Sequence, residues 1–224
     1  MIDNFTLLFH SNLVIFFLIA SYILGSVPFG LILAKLAGYG DIRKIGSGNI
    51  GATNVLRTGN KLLALLTLIF DILKSFLILI IIKYVFESVY NSDSLINLYI
   101  ITALLSILGH MYSPFLKFTG GKGIATSAGV LLFMSFPAAI LTAFIWLLVA
   151  IASKKSSLGA LISSLSSIIF LWSIQQMVNA NILSNKFILY NTELYLIIII
   201  ILFIWIKHIP NIMRLLNKSE SNIN

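Results

Sequence analysis

A chain of 224 residues that is 59% hydrophobic and only 10% charged, with its apolar residues in long unbroken runs, is too apolar for a soluble domain and reads as an integral membrane protein. The absence of cysteine removes a disulfide framework, a thiolate metal site and a cysteine nucleophile together. A formal charge of +8 would suggest nucleic acid in a soluble protein, but here Lys and Arg sit between apolar runs. The charge therefore speaks of topology and anionic substrates, and no nucleic-acid partner is expected.

A membrane-crossing helix needs about 20 mostly apolar residues. In chain order, the runs 12–37, 61–86, 96–118, 157–178 and 187–207 meet that requirement. The first has neither a basic flank nor a small-residue cleavage signature, so it reads as a retained span, bent at Ser26-Val27-Pro28-Phe29-Gly30 with Ser26 facing the site. The region 124–153 is too long for one span, and Phe136-Pro137 offers a break, which predicts two helices there, the first short. A single kinked span would give six crossings; two helices give about seven, and an all-α polytopic protein with a single domain over 1–224.

With seven spans, Arg43, Lys44, Arg57, Lys122, Lys154, Lys155, Lys207, Arg214 and Lys218 fall on one side, against Lys83 and Lys186 on the other. The positive-inside bias makes the first side cytoplasmic and puts the amino terminus outside. Both glycine-rich loops and the carboxyl tail then share the cytoplasmic face.

The first loop, Gly46-Ser47-Gly48-Asn49-Ile50-Gly51-Ala52-Thr53-Asn54, contains the spacing G-x-G-x-x-G, with Asp71 twenty residues after Gly51. It is no dinucleotide fingerprint, because that motif works between a strand and a helix, whereas here it lies between apolar helices. What remains is a run of glycines and small hydrogen-bonding side chains able to surround a phosphate with backbone N–H groups. The bland reading is a flexible polar loop. The second loop, Gly120-Gly121-Lys122-Gly123, lacks Walker spacing and implies no nucleotide; a glycine pair and a lysine at a helix amino terminus still make an anion seat or, alternatively, a simple turn.

Asp71 and Lys74 are three apart inside an apolar run, where ionisable residues pair or line a cavity; mutual neutralisation with contact to the first loop is the preferred reading. His110, beside Pro114, reads as a support residue satisfying backbone groups that the proline frees. In the tail, His208, Asn211 and Arg214 follow one helical face, although Pro210 interrupts a regular helix, and Glu220 comes after them. With three histidines and no pair at ligand spacing, no metal is expected.

These blocks in their order, Ser26-x-Pro28-x-Gly30, the first glycine loop with Arg57, Asp71-x-x-Lys74, Gly109-His110 with Gly120 to Gly123, and His208-x-x-Asn211 with Arg214, closely resemble the bacterial acyl-phosphate:glycerol-3-phosphate acyltransferases (PlsY). The resemblance covers almost the whole chain. It implies a seven-span inner-membrane enzyme that transfers a fatty acyl group from acyl phosphate to the sn-1 hydroxyl of glycerol 3-phosphate, giving lysophosphatidic acid and phosphate. It implies coupling to the enzyme that makes acyl phosphate, and no cofactor. Carried over by residue, Ser47, Arg57, His208 and Asn211 are expected to be catalytic, and Gly46, Gly48, Asn49, Gly51, Thr53, Asn54, Gly120, Gly121, Lys122 and Gly123 to bind substrate. Ser26, Asp71, Lys74, His110, Arg214 and Glu220 are expected as support. Ser75 and Lys218 stand where the pattern has glycine, and Lys154-Lys155 replaces its arginine-tyrosine. A carrier for a phosphorylated solute is the alternative, since broken spans and helix-end anion sites also build transporters.

Overall fold

The computed structural model describes residues 11–185 and 193–223. Among them the secondary structure is helical throughout: α1 Asn12–Ser26, α2 Phe29–Leu36, α3 Ala52–Leu56, α4 Lys61–Phe86, α5 Ser92–Met111, α6 Ile124–Met134, α7 Phe136–Ser153, α8 Ser156–Asn179 and α9 Glu193–Leu216. Side-chain oxygens cap the starts of α1, α4, α5 and α7, where no preceding turn can accept from the first N–H groups. Asn60 accepts from the Leu63 N–H at 3.0 Å and Asn91 from the Ser94 N–H at 2.9 Å.

Helices α4, α5, α7, α8 and α9 are each long and apolar enough to cross a membrane, and α1 with α2 makes a sixth candidate, bent by 47° at Val27-Pro28 as the proline demands. The chain is a multi-pass membrane protein. The predicted pair of helices over 124–153 forms, but the break falls at Ser135, with Pro137 in the first turn of α7 where its missing N–H costs nothing. At 11 residues, α6 spans about 16 Å and falls short of the roughly 30 Å hydrocarbon core. Seven segments are therefore present among the described residues, while six candidate crossings are long enough. The other boundaries shift by a few residues. The third run is helical over Ser92–Met111 and ends before Pro114, and the last extends through Pro210 to Leu216; its predicted start at 187, with Lys186, lies outside the described residues.

Close backbone contact holds the bundle where small residues remove side chains from between helices. A Cβ at Gly25 would strike the Ser106 backbone, and one at Gly109 the carbonyl of Tyr22, so α1 and α5 touch directly. Ser113 adds a hydrogen bond from its hydroxyl to the Ser26 carbonyl at 2.7 Å. Between α4 and α6 the room comes from Gly129, whose Cβ position meets the Ile72 carbonyl. The Ser75 hydroxyl, in place of an expected glycine, donates to the Thr126 carbonyl at 2.7 Å and ties the same two helices. Helix α7 turns Phe136, Ile140, Phe144, Leu147 and Ile151 outward, a lipid-facing stripe.

The start of α4, the end of α5, the starts of α6 and α8, and the end of α9 converge at one end of the bundle, joined by contacts among the loops and the tail. That end carries both glycine-rich loops.

Candidate active site

A cavity of about 400 Å³ opens at this end and continues between the helices. Its mouth is polar, lined by Ser47, Asn49, Arg57, Lys122, Ser156, Ser157, His208, Asn211 and Glu220. Its depth is mainly apolar, lined by Leu65, Leu68, Ile72, Leu131, Trp146, Ile197, Ile200, Ile201 and Ile204, and the hydroxyls of Ser163, Ser164 and Ser167 on the same wall donate to carbonyls of their own helix. Along α9 the wall from His208 to Ile197 covers about 16 Å at helical rise. One continuous space thus joins a cationic head to an apolar shaft.

Asn54 organises the first loop. Only 1% exposed, it accepts on Oδ1 from the Ser47 N–H at 3.0 Å and from Arg57 Nη1 at 3.1 Å, and donates through Nδ2 to the carbonyls of Ile42 and Asn49 at 2.8 and 2.7 Å. Gly46 has φ +54°, and a Cβ there would meet Arg57 Cδ and Asn54 Oδ1, each at 2.5 Å, so only glycine lets this knot close. The Ser47 hydroxyl is loosely held, 3.4 Å from Asn54 Oδ1, and among the described residues no basic side chain bonds it.

The tail closes the site from the other side. Arg57 Nη2 donates to Ser221 Oγ at 2.7 Å and to the Asn222 carbonyl at 3.2 Å. Glu220, 8% exposed, accepts from Ser157 Oγ and Asn211 Nδ2 on Oε1 and from Arg214 Nε on Oε2, each at 2.6 Å; its own carbonyl accepts from Lys155 Nζ. Burial alone would push the Glu220 carboxyl up, but these bonds together with the Arg214 charge hold it below its ordinary value.

Lys122 has no hydrogen-bond or ion-pair partner among the described residues and lines the cavity beside the first turn of α6. Burial first, then the charges of Arg214 and Arg57, push its ammonium down to about 8, although Glu220 pulls the other way. A poorly solvated cation with no ion-pair partner among the described residues is able to accept an anion beside it. His208 Nδ1 lies 2.8 Å from the Ile204 carbonyl; that oxygen can only accept, so Nδ1 carries the hydrogen and Nε2 keeps its lone pair. Asn211 Oδ1 is buried without a partner among the described residues, an acceptor left open on a cavity-lining residue.

The family described as glycerol-3-phosphate acyltransferase matches residues 15–218. The chain belongs to it. Relatives named glycerol-3-phosphate acyltransferase include one from Bartonella henselae, 43% identical over 97% of this chain and 94% of its own, and one from Brucella anthropi, 43% identical over 92% and 91%. The crystal structure of PlsY, an integral membrane glycerol 3-phosphate acyltransferase, superposes in its glycerol 3-phosphate form with a TM-score of 0.78 at 33% identity, covering 94% of this chain and 96% of that one. Its lysophosphatidic acid form gives 0.75 at the same identity, with 93% and 94% covered.

Within this acyltransferase, Ser47, Asn49, Gly51, Thr53, Asn54, Arg57, Lys122, Gly123, His208, Asn211 and Glu220 all border the cavity. Several expectations change in detail. The first loop is not an open nest of N–H groups, because those of Ser47, Gly48 and Ile50 are engaged within the loop; glycine sets its shape, and the cationic side chains supply the charge. Asn54 holds the loop and does not reach outward, and Thr53 bonds Ser156 of α8 at 3.0 Å. The Gly121 N–H donates to the His110 carbonyl at 3.0 Å, leaving the first turn of α6, with Gly123 as its cap at φ +84°, to face the cavity. Ser26 does not border the cavity; its hydroxyl bonds the Tyr22 carbonyl at 2.7 Å one turn back. Lys74 contacts Val27 and His110 and not the first loop, and His110 holds Lys74 and Gly121 and not groups freed by Pro114. Pro210 sits inside α9 without ending it, so His208, Asn211 and Arg214 do share a face.

Ser156, Ser157 and Ser221 join the site without having been expected there. The small polar run Lys154-Lys155-Ser156-Ser157 at the head of an apolar helix carried a signal. Nothing local marked Ser221.

Proposed function

We propose that this acyltransferase moves a fatty acyl group from acyl phosphate to the sn-1 hydroxyl of glycerol 3-phosphate. The products are 1-acyl-glycerol 3-phosphate and inorganic phosphate, and the step opens phospholipid synthesis at the cytoplasmic face of the inner membrane, with the amino terminus outside. The observation that carries the reading is the single cavity with two cations at its polar mouth and an apolar shaft behind. Both substrates are phosphorylated, and one bears a long chain that costs little to leave between helices.

The hydroxyl oxygen attacks the acyl carbonyl carbon. The bond from that carbon to the phosphate oxygen breaks, phosphate leaves with the electron pair, and the hydroxyl proton passes to His208 Nε2. Acyl phosphate is already an activated anhydride, so the protein needs to align the reactants, neutralise charge and exclude water. Arg57 offers a fork suited to one phosphate and Lys122 a point charge for the other. General-base help from His208 is worth about 10²–10⁴-fold. Asn211 Oδ1 accepts from a substrate hydroxyl while Glu220 holds its amide. Ser47 serves as a hydrogen-bonding group and not as a covalent nucleophile, for want of an adjacent base. A donor this reactive suits direct supply by the enzyme that forms it.

Purified protein in detergent tests the reading. Incubated with acyl phosphate and glycerol 3-phosphate, it is expected to release phosphate and 1-acyl product, the position fixed by NMR. Acyl-CoA is expected to be inert as donor. Glycerol 3-phosphate binding without turnover would mark a carrier and overturn the proposal, as would equal rates from acyl-CoA.

A further inference from the structure

Beneath the second glycine loop lies a buried cluster that the transfer step does not use. Lys74 Nζ donates to Asp71 Oδ1 at 2.8 Å, lies 2.7 Å from His110 Nδ1, and reaches the Val27 carbonyl at 3.3 Å, where α1 and α2 bend apart. All three residues are at most 7% exposed. An ammonium paired with a carboxylate has three hydrogens and no lone pair, and these three acceptors use all of them. His110 Nδ1 must therefore accept. The ring hydrogen is on Nε2.

That second edge is placed with purpose. Gly121 packs against it so closely that a Cβ there would fall on His110 Nε2, and the Gly121 N–H donates to the His110 carbonyl. Lys207 Nζ holds the next carbonyl, that of Met111, at 2.8 Å. His110 lines the cavity alongside Lys122 and Gly123. The ring is thus held at Nδ1 by a charged lysine with its protonated edge against the glycine loop at the cavity wall, where no side chain or backbone acceptor bonds Nε2 among the described residues.

We propose that His110 is a further substrate-binding residue whose Nε2–H donates to the phosphate of glycerol 3-phosphate at the Gly120–Gly123 loop. Lys74, oriented by Asp71, is the positioning residue that fixes its tautomer. The inference rests on the reading that Lys122 and this loop hold that phosphate. It explains why two ionised side chains are kept inside an apolar helix pair, where either alone would be costly. A neutral donor fixed by a neighbouring cation adds a directed hydrogen bond without placing another full charge beside Lys122.

Nitrogen NMR of the protein with ¹⁵N-labelled histidine, in detergent, reads tautomers directly. His110 is expected neutral, with Nδ1 of acceptor type and Nε2 protonated, and the Nε2–H signal is expected to move when glycerol 3-phosphate is added. The paired substitution Asp71→Asn with Lys74→Met, which removes both buried charges together, is expected to mix the tautomers and weaken glycerol 3-phosphate binding by about tenfold or more, the size of a lost bond to an anion. His110→Gln, which keeps a donor, is expected to lose less affinity than His110→Phe, with KM for glycerol 3-phosphate rising more than kcat falls. Gly121→Ala, which forces loop and ring apart without touching a charge, should mimic His110→Phe and guards against a paired variant that fails to fold. An Nδ1–H tautomer in the unaltered protein, or an unmoved Nε2–H signal while Lys122→Ala abolishes binding, would overturn the proposal. Unchanged binding in Lys122→Ala would instead sink the reading of the loop itself.

Discussion

Replacing Glu220 by glutamine removes a charge while keeping the shape, and the hydrogen bonds around it dictate how the new amide must sit. If its oxygen stays with Ser157 and Asn211, its NH₂ faces the Arg214 Nε–H, donor against donor. If it turns to Arg214, the NH₂ faces Ser157, which can accept, and Asn211, which can accept only by exchanging Nδ2 with the unpartnered Oδ1. The second arrangement wins because it leaves every contact satisfied. The Ser157 and Asn211 bonds become neutral while the Arg214 bond loses its ionised acceptor but keeps its cation; at about 1 kcal/mol for each bond the loss is at most about 3 kcal/mol, and Arg214, at 37% side-chain exposure, brings it nearer 2. For a chain of this size that lowers Tm by about 4–10 °C. The Asn211 amide then presents a donor where it offered an acceptor, and kcat should fall by roughly 10- to 100-fold, the worth of one hydrogen bond to a reacting group. Thermal unfolding in detergent and steady-state kinetics on the same preparation read both effects. A lowered Tm with unaltered kcat would refute the role of Asn211 Oδ1, and an unaltered Tm would refute the carboxylate's hold on the tail. Because the folded carboxyl lies below its ordinary value, this stabilisation is present above pH 4.5 and is lost as pH falls through the folded value.

Lys122, with its ammonium at about 8, gives a second pH dependence: glycerol 3-phosphate affinity should be level between about pH 7, where the phosphate is already a dianion, and about pH 8, and fall above that. Bound phosphate raises the lysine again, so binding at pH 8–9 takes up protons, measurable by calorimetry in buffers of different ionisation enthalpy; no uptake would rule the contact out. For stability the sign is opposite: the folded value lies below the ordinary 10.5, so burial of this charge costs stability below about pH 8, and the cost fades as pH rises towards 10.5. Gly46→Ala should cost roughly 1–2 kcal/mol in backbone strain and push Arg57 aside, lowering kcat/KM in the same transfer assay far more than Gly40→Ala, where a Cβ meets open space although φ is also positive. Ala143→Phe, on the cavity wall, should shift preference towards shorter acyl phosphates, read as the ratio of kcat/KM for two chain lengths.

Much of this protein was written along the chain. Apolar runs of about 20 residues have few folds open to them in lipid, so α4, α5, α8 and α9 could be placed from composition alone, and Pro28 and Pro137 marked the bend and the break because a missing N–H acts locally. The glycine loops, Arg57, Lys122, His208 and Asn211 stood out as polar groups in an apolar sequence. Only packing decided the rest. That the first loop turns its own N–H groups inward depends on where Asn54 points, that Lys74 meets His110 depends on how α4 lies against α5, and that Ser221 reaches Arg57 depends on the tail folding back 164 residues away in sequence. Periodicity reports which face of a helix is apolar, but partners across helices are selected by close approach at residues such as Gly109, Gly121 and Gly129, and that selection exists only once the helices have met.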